Sequence, residues 1–207
     1  MIPAYWSQAL SELAERDPVM AALVERYRGV ALVSRGEPFV TLVRSIVGQQ
    51  ISVKAADSVW MRLLATLPAG GLTPAALLTQ PTPLLRACGL SARKVEYLQD
   101  LARHFVQGRI RVGQWATMSD AEIVAELTAV RGVGVWTAEM FLIFNQLRPD
   151  IFPVDDIGMQ KAVARLYCDG ERPGRRALLE HGERWRPWRS VATWHLWRSL
   201  DPLPVEY

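Results

Sequence analysis

The sequence is poor in the residues that build covalent or metal-centred scaffolds. Its 207 residues include two cysteines, Cys88 and Cys168, and three histidines. Two cysteines so far apart argue against a disulfide framework, a four-cysteine zinc site and a four-cysteine iron–sulfur cluster. The few histidines and cysteines also form no metal-ligand pattern, so we expect no side-chain metal site.

Long hydrophobic runs are also lacking. The first ten residues, MIPAYWSQAL, show no basic segment followed by an apolar one, as a secretory signal would. The tightest apolar run near the middle, MFLIF, is far too short to span a bilayer. We therefore expect a soluble, cytoplasmic protein with no membrane partner. Half of the residues are hydrophobic, which is enough for a substantial core.

The net charge of +3 is small but unevenly distributed. The segment 161–198 contains nine Lys or Arg and four Asp or Glu, a net charge of +5, so the rest of the chain has a net charge of −2. A basic carboxy-terminal third indicates a polyanionic partner, and a solvated basic surface is the alternative explanation.

Alternation typical of strands is scarce, and most segments have helical periodicity, so the fold class is predicted as all-α. Several helix starts are marked by capping residues. Thr73-Pro74 and Thr82-Pro83 each resemble an N-cap followed by proline, and Ser119 with Glu122 forms a capping box. Gly48-Gln49-Gln50 interrupts one helical pattern and predicts a turn between two helices.

Two closely spaced glycines interrupt a second helical stretch, LTAVRGVGVWTAEM. Gly132 and Gly134 predict a tight turn between two helices, because glycine adopts positive φ and permits close approach of another molecule. A turn that leads into a helix points backbone amides in one direction, with the helix dipole behind them. The pattern predicts a phosphate site, and the alternative is a tight turn without a ligand.

An acidic pair follows this turn by about twenty residues. Asp155 and Asp156 directly precede another helical segment. Aspartates in this position most often cap the helix. The alternative is a catalytic carboxylate, which the combination with an amide-presenting turn favours.

These features together resemble the helix–hairpin–helix DNA glycosylases. The hairpin pattern is formed by Leu127, Val130, Gly132, Gly134, Ala138 and Leu142. The blocks IVGQQISV, GVGVWTAEMF, FPVDDIGMQ and ERWRPWRSVATWHLW resemble, in order, the AlkA branch, 3-methyladenine DNA glycosylase II. The extra amino-terminal β-rich domain of longer AlkA proteins is expected to be absent, since helical pattern begins almost at once.

The resemblance implies one glycosylase unit over residues 1–207, with two helical lobes flanking a DNA-binding cleft. The lobes are expected at approximately 36–150, which includes the hairpin, and at 1–35 plus 151–207. The implied partner is double-stranded DNA with damaged bases, bound by a monomer that is intracellular and nucleoid-associated as in bacteria.

The resemblance also assigns roles to individual residues. The catalytic carboxylate is expected to be Asp156, with Asp155 as the alternative, and Trp136 and Trp197 are expected to line the base pocket. Gln50 aligns with the residue that fills the gap left by a flipped base, and Gln49 is its neighbour; a polar surface turn is the alternative. The DNA-binding set is expected to be Gln49, Gln50, Arg131, Gly132, Val133, Gly134, Trp136 and Thr137.

Two departures from the family pattern affect the chemistry. Arg131 stands where the family usually has proline, and should leave the amides available while adding a cation. Trp136 stands where some relatives have the lysine that attacks the sugar, so no lyase chemistry is expected. No cofactor is expected to be required, although a structural monovalent cation could bind the carbonyls of Thr128, Val130 and Val133.

The implied function is hydrolysis of the N-glycosidic bond of alkylated purines such as 3-methyladenine and 7-methylguanine, which leaves an abasic site in base excision repair. Two alternatives remain open. One is a glycosylase for etheno, deaminated or oxidised bases, and the other is a non-catalytic helix–hairpin–helix DNA-binding module.

Overall fold

The computed structural model describes residues 2–200, and their regular structure is helical. The all-α prediction is therefore confirmed for this part of the chain. In chain order the helices are α1 (Trp6–Arg16), α2 (Pro18–Arg26), α3 (Pro38–Gly48), α4 (Val53–Ala65), α5 (Pro74–Leu78), α6 (Thr82–Ala87), α7 (Ala92–Val106), α8 (Asp120–Thr128), α9 (Val135–Phe144), α10 (Ile157–Tyr167), α11 (Arg175–Glu183) and α12 (Arg189–Leu200), with a short 3₁₀ turn at Val112–Gln114.

The chain divides into two compact units. Within the described residues, the hairpin unit is Arg35–Phe141, and the terminal unit combines residues 2–34 with residues 142–200. The sequence placed the second division near residue 150, whereas the structural division falls inside α9. In keeping with this division, the ring of Phe144, in the last turn of α9, stacks on Trp197 of α12 with centroids 5.6 Å apart.

Local capping explains most helix boundaries. Thr73 caps α5 by accepting from the amide of Ala76, as its sequence predicts. The corresponding prediction for Thr82 is wrong by one residue, because α6 begins at Thr82 itself and Pro81 occupies the cap position. The predicted break after Gly48 is confirmed: α3 ends there, and Ser52 caps α4 by accepting from the amide of Ala55.

The core of the hairpin unit forms where α3 packs against α4 and α7, and where α5 and α6 pack against α7. Leucines at helical spacing on α7, Leu98 and Leu101, are fully buried there. Trp115 is also buried, and its indole N–H donates to Glu126 over 2.8 Å, so its one polar group is satisfied. This core lies beneath the turn after α3 and the turn before α9.

The core of the terminal unit is aromatic. Trp6 of α1 packs edge-on against Trp194 and stacks on His195, both of which belong to α12. Trp185 is also buried, and its indole donates to the Asp17 carboxylate over 3.0 Å. Trp185 and Trp194, from the tryptophan-rich segment near the carboxy terminus, thus form part of this core. No helix within residues 2–200 is both long enough and apolar enough to cross a bilayer.

Candidate functional site

The glycine turn joins α8 to α9 and contains two backbone hydrogen bonds, each between residues three positions apart. The amide of Val130 donates to Leu127 O and the amide of Val133 donates to Val130 O, each over 3.1 Å. The bond from the Ala138 amide to Gly134 O, at 3.0 Å, begins the ladder of α9. The result is the helix, tight turn and helix that the sequence predicts.

The fold of the protein requires a glycine at position 132. Its φ of +84° lies in the left-handed region. A Cβ atom added here would lie 2.2 Å from Cδ2 and 2.4 Å from Cγ of Tyr97, far inside van der Waals contact. The turn can therefore rest on the Tyr97 ring only because residue 132 has no side chain.

Gly134 has a different environment. A Cβ atom added at this position would meet no protein atom within 4 Å, and its φ lies outside the left-handed region. Gly134 is exposed and directly precedes the first turn of α9, where amides lack intrahelical acceptors. Among residues 2–200 nothing requires a glycine here, so the open space over this backbone is available to a ligand.

Not every hairpin amide can face an anion. The Arg131 amide donates to Asp100 Oδ2 over 2.9 Å, and its guanidinium lies 3.4 Å from the Glu96 carboxylate. The Val133 amide is used inside the turn, as described above, and Thr137 is buried. The amide of Arg131 itself is therefore not available to an anion, because Asp100 already accepts from it. An anion site would be centred on Gly134 and the start of α9.

Trp136 lies in this first turn of α9. It is 38% exposed, although most large aromatic residues in the protein are buried. Its neighbour Val135 is 56% exposed. Two large apolar side chains thus stand at the surface beside the open backbone of Gly134, where an aromatic ligand could stack on them.

Gln49 and Gln50, between α3 and α4, have different environments. Gln49 is half-buried, and its side-chain amide donates to Gly132 O over 3.0 Å. Gln50 is exposed and has a φ of +58°, a strained value for a residue with a side chain. The Gly48–Ser52 loop, hereafter the glutamine loop, is therefore fixed to the hairpin through Gln49 and projects Gln50 outward.

In the terminal unit, Asp156 caps α10. Its Oδ1 accepts from the amide of Met159 over 2.6 Å and from the indole N–H of Trp197 over 2.8 Å. The carboxylate is half-buried. Two donors on one oxygen fix the plane of the carboxylate, so its orientation is set before any ligand binds.

Gly158 makes this arrangement possible. A Cβ atom there would lie 3.2 Å from Asp156 Oδ1 and 3.2 Å from Cδ1 of Trp197. Glycine thus allows the indole to approach the helix start closely enough to donate to the carboxylate. The structure brings Trp197 into direct contact with Asp156, a contact that their separation of 41 residues conceals.

Asp155 lies in different surroundings. It is exposed and forms an ion pair with Arg175 at the start of α11. Its side chain is 70% exposed and that of Arg175 is 61% exposed, so solvent screens this pair strongly. The two adjacent aspartates are thus distinguished: one is oriented by an indole and a backbone amide, the other is a surface ion-pair partner.

The tryptophan-rich block near the carboxy terminus has a structural role that its sequence did not reveal. The guanidinium of Arg189 donates to Asp150 Oδ1 over 2.6 Å and to the backbone carbonyl of Asp150 over 2.9 Å. The buried Ser190 hydroxyl accepts from the amide of Ile151 over 2.9 Å. The first residues of α12 therefore hold the segment that leads into Asp155 and Asp156. No local pattern predicts this, because the partners are 39 residues apart.

These features define a helix–hairpin–helix protein that also has an oriented carboxylate at the start of a later helix. Residues 43–187 match the family described as HhH-GPD superfamily base excision DNA repair protein, and the chain belongs to this family. It is 33% identical to DNA-3-methyladenine glycosylase 1 of Schizosaccharomyces pombe, over 92% of this chain and 84% of that protein.

Similarity extends to the AlkA branch and to solved structures. A Mycobacterium tuberculosis protein named as a probable bifunctional transcriptional activator and DNA repair enzyme AlkA is 31% identical over 94% of this chain, which spans 40% of that protein. A Bacillus halodurans DNA-3-methyladenine glycosidase superposes with a TM-score of 0.85 and 34% identity, covering 93% of this chain and 89% of that one. The Schizosaccharomyces pombe 3-methyladenine DNA glycosylase, solved in complex with abasic DNA, superposes with a TM-score of 0.81 and 30% identity. The match covers 97% of this chain and 99% of that one.

Proposed function

We propose that this protein is a DNA glycosylase that hydrolyses the N-glycosidic bond of alkylated purines in duplex DNA and leaves an abasic site. The observation that supports this most directly is the oriented Asp156 carboxylate in a chain that also has the amide-presenting hairpin. The cap of α10 needs only the bond from the Met159 amide, and the second bond, from the Trp197 indole, orients the carboxylate further. Family membership and relatives named as 3-methyladenine glycosylases support the same function.

Asp156 acts on the sugar. When the C1′–N bond breaks, its electron pair leaves with the base and the sugar becomes oxocarbenium-like. A fixed carboxylate stabilises this positive charge without reorganising during the reaction. Water then adds to C1′ and loses a proton, which completes the hydrolysis and gives the abasic sugar.

The leaving group accounts for the alkylated substrate. A purine methylated at N3 or N7 has a positive ring charge, which the departing electron pair neutralises, so little acid catalysis is needed. The exposed Trp136 indole attracts such a cation by roughly 0.5–2 kcal/mol through its π-face. Neutral oxidised or deaminated bases lack this attraction, so alkylated purines are favoured over the other lesion classes.

The hairpin holds the DNA backbone. The open backbone at Gly134 and the start of α9 receive a phosphate, while Gln50 enters the duplex where the damaged nucleotide has been flipped out. Trp136 occupies the position at which a lysine would attack the sugar, and an indole cannot form a Schiff base. We therefore propose a monofunctional enzyme that acts as a monomer on chromosomal DNA in the cytoplasm.

A monovalent cation at the hairpin is part of this proposal. The carbonyl oxygens of Thr128, Val130 and Val133 would hold it, and carbonyl oxygen is a suitable donor for such an ion. Val130 O accepts one hydrogen bond, from the Val133 amide, and a carbonyl has a second lone pair for an ion. The cation would reinforce the positive potential of the hairpin toward phosphate.

The test is base release from methylated duplex DNA by the wild type, Asp156→Asn and the matched control Asp155→Asn. Asparagine can still cap α10, so Asp156→Asn removes the charge but keeps the fold. We expect its rate of methylpurine release to fall by about 100- to 1,000-fold, as for loss of one electrostatic contact to a transition state. Asp155→Asn should change the rate by less than about fivefold, because an exposed ion pair contributes little.

Strand nicking, scored before and after alkali, tests the monofunctional reaction. Nicks that appear only after alkali indicate simple hydrolysis. Loss of release in Asp155→Asn instead would move the catalytic role by one residue. If the wild type binds DNA but releases no methylated base, the proposal for alkylated purines is wrong.

A further inference from the structure

Lys94, on α7, is inserted among backbone carbonyls instead of extending into solvent. Its ammonium donates to Val47 O and to Gln49 O, each over 2.7 Å. Val47 belongs to the last turn of α3, where carbonyls lack intrahelical donors and a cation is favourable. Desolvation by the surrounding protein lowers the pKa of Lys94, as expected for an ammonium withdrawn from water.

These bonds hold the glutamine loop at its base, and Gln49 holds it to the hairpin. The carbonyl of Gln49 accepts from Lys94, while the side-chain amide of the same residue donates to Gly132 O over 3.0 Å. Gln49 is thus fixed at both its backbone and its side chain. The exposed Gln50 follows directly, so its position is set by that of Gln49.

The same face of α7 also supports the hairpin. The Tyr97 ring lies against Gly132, and the Asp100 carboxylate accepts from the amide of Arg131. Lys94, Tyr97 and Asp100 are spaced three residues apart and therefore follow one side of the helix. One helix face thus contacts both the glutamine loop and the hairpin turn, and all of these contacts lie within the hairpin unit.

We propose that Lys94 is a positioning residue that fixes the glutamine loop relative to the hairpin, so that Gln50 enters the duplex at a set distance from the phosphate bound near Gly134. This inference rests on the proposed function. A loop ordered in advance does not have to lose conformational entropy when it binds DNA. Lys94 acts through the loop and does not itself contact the reacting atoms.

The first experiment needs no DNA and no activity. Lys94→Met keeps the aliphatic part of the side chain and removes the ammonium, whereas Arg93→Met removes an equal charge from the adjacent, exposed position of α7. We expect hydrogen exchange of the amides at 48–52 to become about tenfold faster or more in Lys94→Met only, through local opening. Exchange of α8 amides serves as the reference for global stability.

Gln49→Ala releases the loop at its other end and provides a second variant. It should accelerate exchange in the same segment. In the double variant with Lys94→Met, the change in the free energy of local opening should be smaller than the sum of the two single changes, because both contacts hold one loop. Exchange at 48–52 in Lys94→Met that equals that of Arg93→Met would overturn the inference, whatever the activity of the enzyme.

The second experiment measures insertion into DNA. A duplex with an abasic analogue and a neighbouring 2-aminopurine reports unstacking by fluorescence. We expect the fluorescence change to be mostly lost with Lys94→Met. The affinity of this variant for undamaged duplex should equal that of Arg93→Met. Its single-turnover rate of methylated-base release should fall by about tenfold or more. Equal fluorescence from the two variants would also overturn the inference. If the two variants differ as expected in loop exchange and fluorescence but the wild type releases no methylated base, the proposed function is contradicted and the inference about Lys94 is not.

Discussion

The two hairpin glycines should respond in opposite ways to the same substitution. Alanine at position 132 must adopt a φ of +84°, which costs about 1–2 kcal/mol for a residue with a Cβ atom. The added carbon also falls 2.2 Å from Tyr97 Cδ2, and relieving such overpacking typically costs about 1–3 kcal/mol. We therefore expect Gly132→Ala to lower the free energy of unfolding by about 2–5 kcal/mol.

Gly134→Ala should leave folding nearly intact. The new methyl group meets no protein atom within 4 Å, and alanine before the first turn of a helix costs at most about 1 kcal/mol relative to glycine. The same methyl group would stand between the backbone and an approaching phosphate. Loss of charge-assisted hydrogen bonds, about 1.5–3 kcal/mol, weakens DNA binding by about ten- to hundredfold.

Urea denaturation and fluorescence anisotropy on a labelled duplex measure the two effects separately. Binding should be measured at two salt concentrations, because phosphate contacts lose affinity as salt rises. A double variant with Tyr97→Ala should recover part of the stability lost in Gly132→Ala. Wild-type DNA affinity in Gly134→Ala would refute the reasoning for the anion site, and wild-type stability in Gly132→Ala would refute the close approach to Tyr97.

Three further outcomes follow from contacts in the terminal unit. Trp197→Phe keeps an aromatic ring but loses the donor to Asp156, so steady-state kinetics should give a kcat lower by about ten- to hundredfold at similar KM. A rise in KM alone would indicate that Trp197 only lines the pocket. Burial lowers the pKa of His195 from its ordinary 6.5 to about 4, so the unfolded chain takes up a proton first as pH falls. Stability is therefore full above pH 6.5 and decreases by about 3 kcal/mol on acidification to pH 4, and thermal melts across this range should show a shallower slope for His195→Phe. Ser190→Ala leaves the buried amide of Ile151 without its acceptor and should lower the urea midpoint by the equivalent of about 1–3 kcal/mol; an unchanged midpoint would contradict the role of this serine.

Local features of the sequence predict the helices and the two turns because their causes are local. Ser119 accepts from the Glu122 amide and Glu122 accepts in return, so a four-residue pattern is sufficient to locate the start of α8. The glycine turn is similarly encoded, since positive φ at Gly132 is a property of one residue. The error at Thr82 has a local cause as well: Pro81 competes for the cap position, and the pattern alone does not decide between the two.

The contacts that orient the site are long-range and could not be predicted from patterns. Nothing in the sequence around Lys94 indicates that its ammonium reaches Val47 O, 47 residues away. The contact between Trp197 and Asp156 also depends on the packing of α12 against α10. The resemblance to a family points to Trp197, but it does not predict the hydrogen bond from its indole to Asp156.

For Asp156, the contacts that cap α10 are compatible with the catalytic role that we propose for this residue. The helix start supplies the Met159 amide that holds Oδ1, and α12 supplies the indole that holds the same atom. A carboxylate fixed in this way has already lost the rotational freedom that an unrestrained side chain would lose in the transition state. Asp155 is one residue earlier and is left to a solvent-screened ion pair. The position of the cap thus determines which of two identical side chains is held by two donors.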